Sequence, residues 1–216
     1  MKRPDDLKQD IVFEENLRGH RFIFHSTWGL FNPRGIDEGS RLLIEHVEVG
    51  TCDLSLDIGC GYGPIGLTLA RLSPDGEVHL IDKDFVAVEY ARKNAALNQI
   101  DNCRIYLSNA FSHVPDLRFD TIVSNLPAKA GNEMLSLILH EARRHLKPGG
   151  RFYVVFISGL KRYIKRNFQA IFGNYRKIKQ SKTYTVALAV RMPSSLDPGT
   201  KKKNDIGAPE ARLSCT

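Results

Sequence analysis

Three groups of residues in this sequence have types and spacing that could do chemistry. The first is Asp57-x-Gly59-x-Gly61-x-Gly63, continued by Pro64-Ile65-Gly66. Glycines here let the backbone turn with positive φ and let a ligand come close to it. Pro64 suits the first turn of a helix, where its missing N–H is no loss. Gly61–Gly66 also fits GxGxxG, and Asp82 follows near the roughly 20-residue offset of a dinucleotide fold. An acid placed before the first glycine argues against that ligand. Asp57 would oppose a pyrophosphate at close range, whereas it suits a cation. The second group is the polar turn Ser124-Asn125-Leu126-Pro127-Ala128. The third is a run of charge. Residues 151–191 carry ten Lys/Arg and no Asp or Glu, although the whole chain has a formal charge of only +7. So uneven a distribution points to a polyanionic partner.

These groups need strands that end at them. Short strand-like runs at 11–15 and 21–25 flank Asn16-Leu17-Arg18-Gly19, a hairpin pattern. Residues 27–35 form a loop holding Trp28 and Phe31. Asp37 caps a predicted helix over 38–46. From there strands at 53–58, 78–81, 104–107, 121–123 and 152–157 alternate with helices at 64–72, 86–98, 133–146 and 160–172. Lys147-Pro148-Gly149-Gly150 reads as the stop after the third of these helices. Runs at 175–180 and 184–190 are separated by three residues, too few for a crossover, so they pair as an antiparallel hairpin. The fold class is α/β, a doubly wound, mostly parallel seven-stranded sheet with a C-terminal antiparallel hairpin. The division is 1–50 for an N-terminal hairpin, loop and helix, 51–191 for the ligand-binding domain, and 192–216 for a disordered tail.

The DxGxGxG pattern and the terminal hairpin resemble class I S-adenosylmethionine-dependent methyltransferases. That resemblance implies S-adenosylmethionine as cofactor, held by Asp57, Gly59, Gly61, Gly63, Asp82, Lys83, Asn109, Ala110 and Asn125. Asp82 would accept hydrogen bonds from both ribose hydroxyls. Asn109 and the Ala110 N–H would meet the adenine edge, and Phe85 could pack on it or belong to the core. Asn125-Leu126-Pro127 resembles the Asn-Pro-Pro-aromatic motif of methyltransferases that act on planar amines. In that motif the Asn oxygen and the next carbonyl accept the two N–H bonds of the amine, aiming its lone pair at the methyl group, which is catalysis by positioning. Leu126 stands where the motif has its first proline and Ala128 where it has the aromatic, so Phe31 or Trp28 would supply the stacking surface. Four blocks in order resemble the small-domain ribosomal RNA guanine-N2 methyltransferases (the RsmC-like family), in a short single-domain form. They are Leu17-Arg18-Gly19; Gly29-Leu30-Phe31 with Gly35 to Ser40; the glycine loop; and Asn125-x-Pro127 with Lys129-Ala130-Gly131.

The resemblance implies RNA, ribosomal RNA or a small-subunit particle, as partner. Lys161, Arg162, Lys165 and Arg166 fall on one face of the 160–172 helix, opposite Leu160, Tyr163, Ile164, Phe168, Ile171 and Phe172, and suit phosphates. A glutamine-N5 methyltransferase, a non-catalytic RNA-binding protein on the same fold and a nicotinamide dehydrogenase are the competing readings. A membrane span is not expected, since no run of about 18 apolar residues exists. The polar start MKRPDDLKQD is not a secretory signal. Cys52, Cys60, Cys103 and Cys215 form no CxxC, and the seven histidines show no metal-ligand spacing. The expectation is a cytoplasmic enzyme without metal.

Overall fold

The computed structural model describes residues 10–128 and 131–193. Residues 1–9, Lys129-Ala130 and the tail beyond Pro193 lie outside these residues. Strands β1 (Ile11–Leu17) and β2 (His20–Ser26) pair antiparallel, with Leu17 opposite His20. The link is thus the two residues Arg18 and Gly19, at φ +52° and +83°. Two positive-φ residues give the turn whose twist matches a hairpin. Helix α1 (Glu38–His46) follows. Then come β3 (Leu54–Ile58), α2 (Pro64–Leu72), β4 (Glu77–Asp82), α3 (Phe85–Leu97), β5 (Cys103–Leu107), β6 (Phe119–Asn125), α4 (Asn132–His145), β7 (Leu146–Ile157), α5 (Lys161–Phe172), β8 (Arg176–Gln180) and β9 (Tyr184–Val190).

The main sheet has seven strands in the order β5-β4-β3-β6-β7-β9-β8. β3 to β7 are parallel, and β9 lies antiparallel between β7 and β8. Its order reverses between β3 and β6, so a crevice opens there at the carboxyl ends of the strands. Most boundaries shift by one or two residues from the sequence expectation, and the start of β7 shifts by six. Lys147-Pro148-Gly149-Gly150 is no loop but the bulged start of β7, where the pairing with β6 jumps from Leu146 to Arg151. Gly149 takes φ +82° and donates to the Arg191 carbonyl at 2.7 Å. The Pro-Gly-Gly signal marked an irregular strand edge rather than the end of pairing.

β7 shows why the centre of the sheet is apolar on both faces. Tyr153 and Val155 point to one layer; Phe152, Val154 and Phe156 point to the other, and all are buried. The first layer holds α1, α2, α3 and the N-terminal hairpin, and the second holds α4 and α5. The hairpin buries Phe22 and Phe24, stacked at 5.6 Å. Each contributes about 1.5–3 kcal/mol. Two side chains, Asn94 on α3 and Asn98 at its C-cap, hold its open edge. Asn94 and Asn98 each accept from and donate to the β2 backbone, at His25 and Ile23, over 2.7–2.9 Å. Arg18 closes the other side, donating from Nη1 to the carbonyls of Ile44 in α1 and of its C-cap Val47, at 3.0 Å each. Among the described residues no helix is long and apolar enough to cross a membrane.

Candidate active site

Ile58 pairs with Ser124, so the glycine loop and Asn125 leave neighbouring strands at the same level. Gly59 and Cys60 both donate to the Ile81 carbonyl, at 2.8 and 3.0 Å, which folds the loop over the end of β4. Gly59, Gly61 and Gly63 have φ +73°, +57° and +99°. A Cβ on Gly59 or Gly61 would meet nothing within 4 Å, so that surface is open to a ligand. Gly66 serves differently. A Cβ there would lie 2.4 Å from Leu80 Cγ, so it lets α2 press on β4.

Asp57 lies beneath the loop, fully buried. Its Oδ2 accepts from the Gly66 N–H at 2.8 Å, and Oδ1 has no partner. Burial pushes its carboxyl up to about 7; the Gly66 N–H opposes the shift and the charge of Asp82 adds to it. Asp82, partly exposed at the end of β4, accepts from Gly61 N (2.9 Å) on Oδ2 and from Asp84 N (3.0 Å) on Oδ1. Each oxygen keeps a lone pair for a further donor. Lys83 beside it is exposed. Phe85 is 63% exposed and so no part of the core. Asn109, exposed, and Ala110, at φ +47°, follow β5 along the same edge. An open glycine surface, a ribose-type acceptor beside it and an orphaned buried carboxylate oxygen together fit a nucleoside cofactor bearing positive charge.

Asn125 ends β6. Its Nδ2 donates to Ser40 Oγ at 2.9 Å and to Asp37 Oδ1 and Oδ2 at 3.3 Å each. With the NH2 turned to three acceptors, Asn125 Oδ1 is the atom left to accept from a ligand. Asp37 does two things at once, because Oδ1 also caps α1 through Gly39 N (2.9 Å) and Ser40 N (3.2 Å). Leu126 is buried, with its N–H on the Val155 carbonyl at 2.9 Å, and Pro127 and Ala128 are exposed.

The loop between β2 and α1 lies over the glycine loop. Tyr62, inside the glycine motif yet buried, donates from its hydroxyl to the Gly35 carbonyl at 2.7 Å. The loop carries Phe31, 66% exposed, and Trp28, on which the Arg34 guanidinium stacks at 4.7 Å. Lys161 begins α5 at the same edge and donates to Gln180 at 3.1 Å. Arg162, Lys165 and Arg166 are exposed, the last two leading away from the edge along α5. The structure thus brings Asp57, Asp82, Asn125 and the first turn of α5 to one edge. It adds Asp37, Ser40 and Tyr62, which sequence reasoning had missed as site residues. Asp37 carried a signal only as a helix cap, and Tyr62 only as an aromatic among glycines.

This sheet order, with its loop and its acceptor turn, is the class I methyltransferase fold. Residues 21–188 match the model of the family described as methyltransferase small domain, and the chain belongs to that family. It is 36% identical over 195 residues to the uncharacterized protein YbxB of Bacillus subtilis (strain 168), covering 88% of this chain and 96% of that one. Among solved structures it is similar to the T. thermophilus 16S rRNA N2 methyltransferase RsmC, solved in complex with AdoMet and guanosine. That match has a TM-score of 0.76 and 27% identity, and it covers 83% of this chain but only 50% of RsmC. A ribosomal protein L11 methylase from Lactobacillus delbrueckii subsp. bulgaricus shares the fold at TM-score 0.60 and 23% identity, over 77% of this chain and 84% of that one.

Proposed function

We propose that this protein transfers a methyl group from S-adenosylmethionine to the exocyclic N2 of a guanine in ribosomal RNA. The observation that carries the reading is the pinned amide of Asn125, whose Oδ1 is left as an acceptor beside the open glycine loop. Asp82 takes the ribose hydroxyls, and Gly59 and Gly61 admit the cofactor to the backbone. Asn109 and Ala110 lie along the adenine side with Phe85. The cofactor supplies an electrophilic sulfonium methyl.

Asn125 Oδ1 and the Leu126 carbonyl accept the two N–H bonds of the guanine amine. A guanine amine is planar because its lone pair is delocalised into the ring. Two acceptors placed out of that plane draw the nitrogen toward tetrahedral geometry, and this positioning is the protein's contribution to the barrier. Phe31 stacks on the base and fills the place that Ala128 leaves empty. Lys161 and Arg162, with Lys165 and Arg166 behind them, hold flanking phosphates. The similarity to RsmC, whose structure holds guanosine, supports the choice of base.

The test is incubation of the purified protein with labelled S-adenosylmethionine and rRNA from cells lacking it, followed by mass spectrometry of the nucleosides. One new N2-methylguanosine is the expected product. Methyl label on another base atom, or none on the rRNA, overturns the reading.

A further inference from the structure

A depression of about 650 Å³ opens between the C-terminal ends of α4 and α5. The topology puts it on the opposite edge of the sheet from the glycine loop. Arg118 precedes β6, Arg143 and Arg144 sit in the last turn of α4 before β7, and Arg191 follows the reversed strand β9. All four arginines therefore lie where the parallel strands begin. They line the depression together with His140, and among the described residues no Asp or Glu lines it.

Arg191 donates from Nη1 to the Leu146 carbonyl, and the other three arginines differ in how far they are neutralised. Arg118 pairs with Asp116 at 2.7 Å and Arg144 with Glu141 at 2.7 Å. The Arg118 pair is exposed, and such pairs hold by only about 0–1 kcal/mol, whereas half-buried Glu141 accepts twice from Arg144. Arg143 is exposed and has neither ion pair nor hydrogen bond among the described residues. Asp116, though fully exposed, is held below the usual carboxylate range by its bond to Arg118 and the Arg118 charge, with Arg144 and His145 adding to it. A carboxylate in open solvent there still senses several cations.

We propose that this arginine-lined depression binds backbone phosphates of the RNA whose guanine enters at the other edge. The inference rests on the RNA reading above and extends the footprint across the width of the sheet. Helix α5 links the two regions. Lys161 stands at the glycine-loop edge, and Ile171, ten residues on, lines the depression, about 15 Å away along the helix. Exposed Arg162, Lys165 and Arg166 lie between. A stacked strand advances roughly 3.4 Å per phosphate, so four or five nucleotides cover that distance. The guanidinium fork suits phosphate oxygens better than a lysine would. A track of cations leading to the depression favours a polymer over a small anion, which would need no track.

The experiment uses a fluorescent oligouridylate of about 12 nucleotides as probe, with S-adenosylmethionine affinity as the check on folding. In Arg118→Gln/Arg143→Gln, oligouridylate affinity falls roughly tenfold at low salt. The slope of log K against log salt becomes shallower by about 0.7 for each phosphate that the variant no longer neutralises. Asp116→Asn does the reverse and tightens binding, an outcome no folding defect can mimic. Unchanged affinity and slope in the double variant, with cofactor binding intact, overturn the proposal. Inorganic tripolyphosphate that saturates the depression without displacing oligouridylate overturns it too and assigns the site to a free phosphate. Loss of oligouridylate binding in a protein that methylates no rRNA leaves this site standing and removes the function proposed above. Unchanged oligouridylate binding in a double variant that methylates rRNA as the wild type does removes this site alone.

Discussion

The two halves of the active-site edge are built by different means. The half over β3 and β4 is local. Asp57 bonds nine residues ahead to Gly66, and Asp82 bonds back to Gly61 across adjacent strands. The half around Asn125 depends on side chains 85 and 88 positions away, Ser40 and Asp37, delivered by a helix on the far side of the chain order. On the function proposed above, the first half would hold the cofactor with backbone and short-range contacts. The second aims an acceptor by a tertiary contact, and its geometry is only as good as the docking of α1. Defects in the two halves should therefore separate, the first into binding and stability, the second into turnover.

The largest effect expected is on stability in the local half. Asp57 is protonated more readily in the folded chain than in the unfolded one, because its carboxyl is raised to about 7. The folded state thus binds the extra proton, and its advantage is full below about pH 4 and gone above about pH 7. Urea unfolding of cofactor-free wild type, minus that of Asp57→Asn, should fall by up to about 4 kcal/mol from pH 4 to pH 8. A flat difference would mean that Asp57 stays ionised in its buried place. Next is Asn125→Ala. Turnover should drop about 10²–10³-fold, the scale for removing a donor or acceptor aimed at the reacting group, with cofactor affinity unchanged. Equal losses in both quantities would dissolve the division between the halves.

Asp82→Ala should weaken S-adenosylmethionine by roughly 1.5–3 kcal/mol in calorimetry and leave the turnover at saturation near wild type. The smallest effect is the most specific. Asp37→Asn keeps an oxygen to cap α1, and Asn serves as well as Asp at that position. It also turns an NH2 toward the NH2 of Asn125, which frees that amide to rotate. Turnover should fall about tenfold while the melting temperature moves little. Turnover equal to wild type in Asp37→Asn would instead make Asp37 a cap and nothing more.

The same contrast explains what could be read from the sequence. The glycine loop, Asp82 and Asn125 were legible because each sits at the end of an apolar run whose period names the strand. The terminal hairpin was legible because three residues cannot cross a sheet. Lys147 to Gly150 misled because proline and glycine mark a bulge as well as a loop, and only pairing across β6 tells the two apart. Asp37 was found with the right bond to its own helix and without the bond that matters to Asn125. A cap is visible within four residues, whereas a partner 88 residues away leaves no local pattern. The arginine depression was invisible for the same reason. Its residues come from four separate segments, and of its arginines only Arg191 lay in the basic run of 151–191.

The seating of α1 also sets an order of events during synthesis. α1 packs on β7 and β9, and a Cβ on Gly39 would come within 2.8 Å of the Tyr184 ring at the start of β9. A helix made among the first fifty residues therefore lacks part of its seat until the ribosome has passed residue 184. Contacts of this sequence separation form late, after the entropy of closing the intervening chain has been met. A nascent chain halted before β9 could already own the glycine loop, while Asn125 would still lack the neighbours that turn its amide. Competence to receive a methyl donor would thus precede competence to use it, and the last hairpin acts as the latch that commits the enzyme to its substrate.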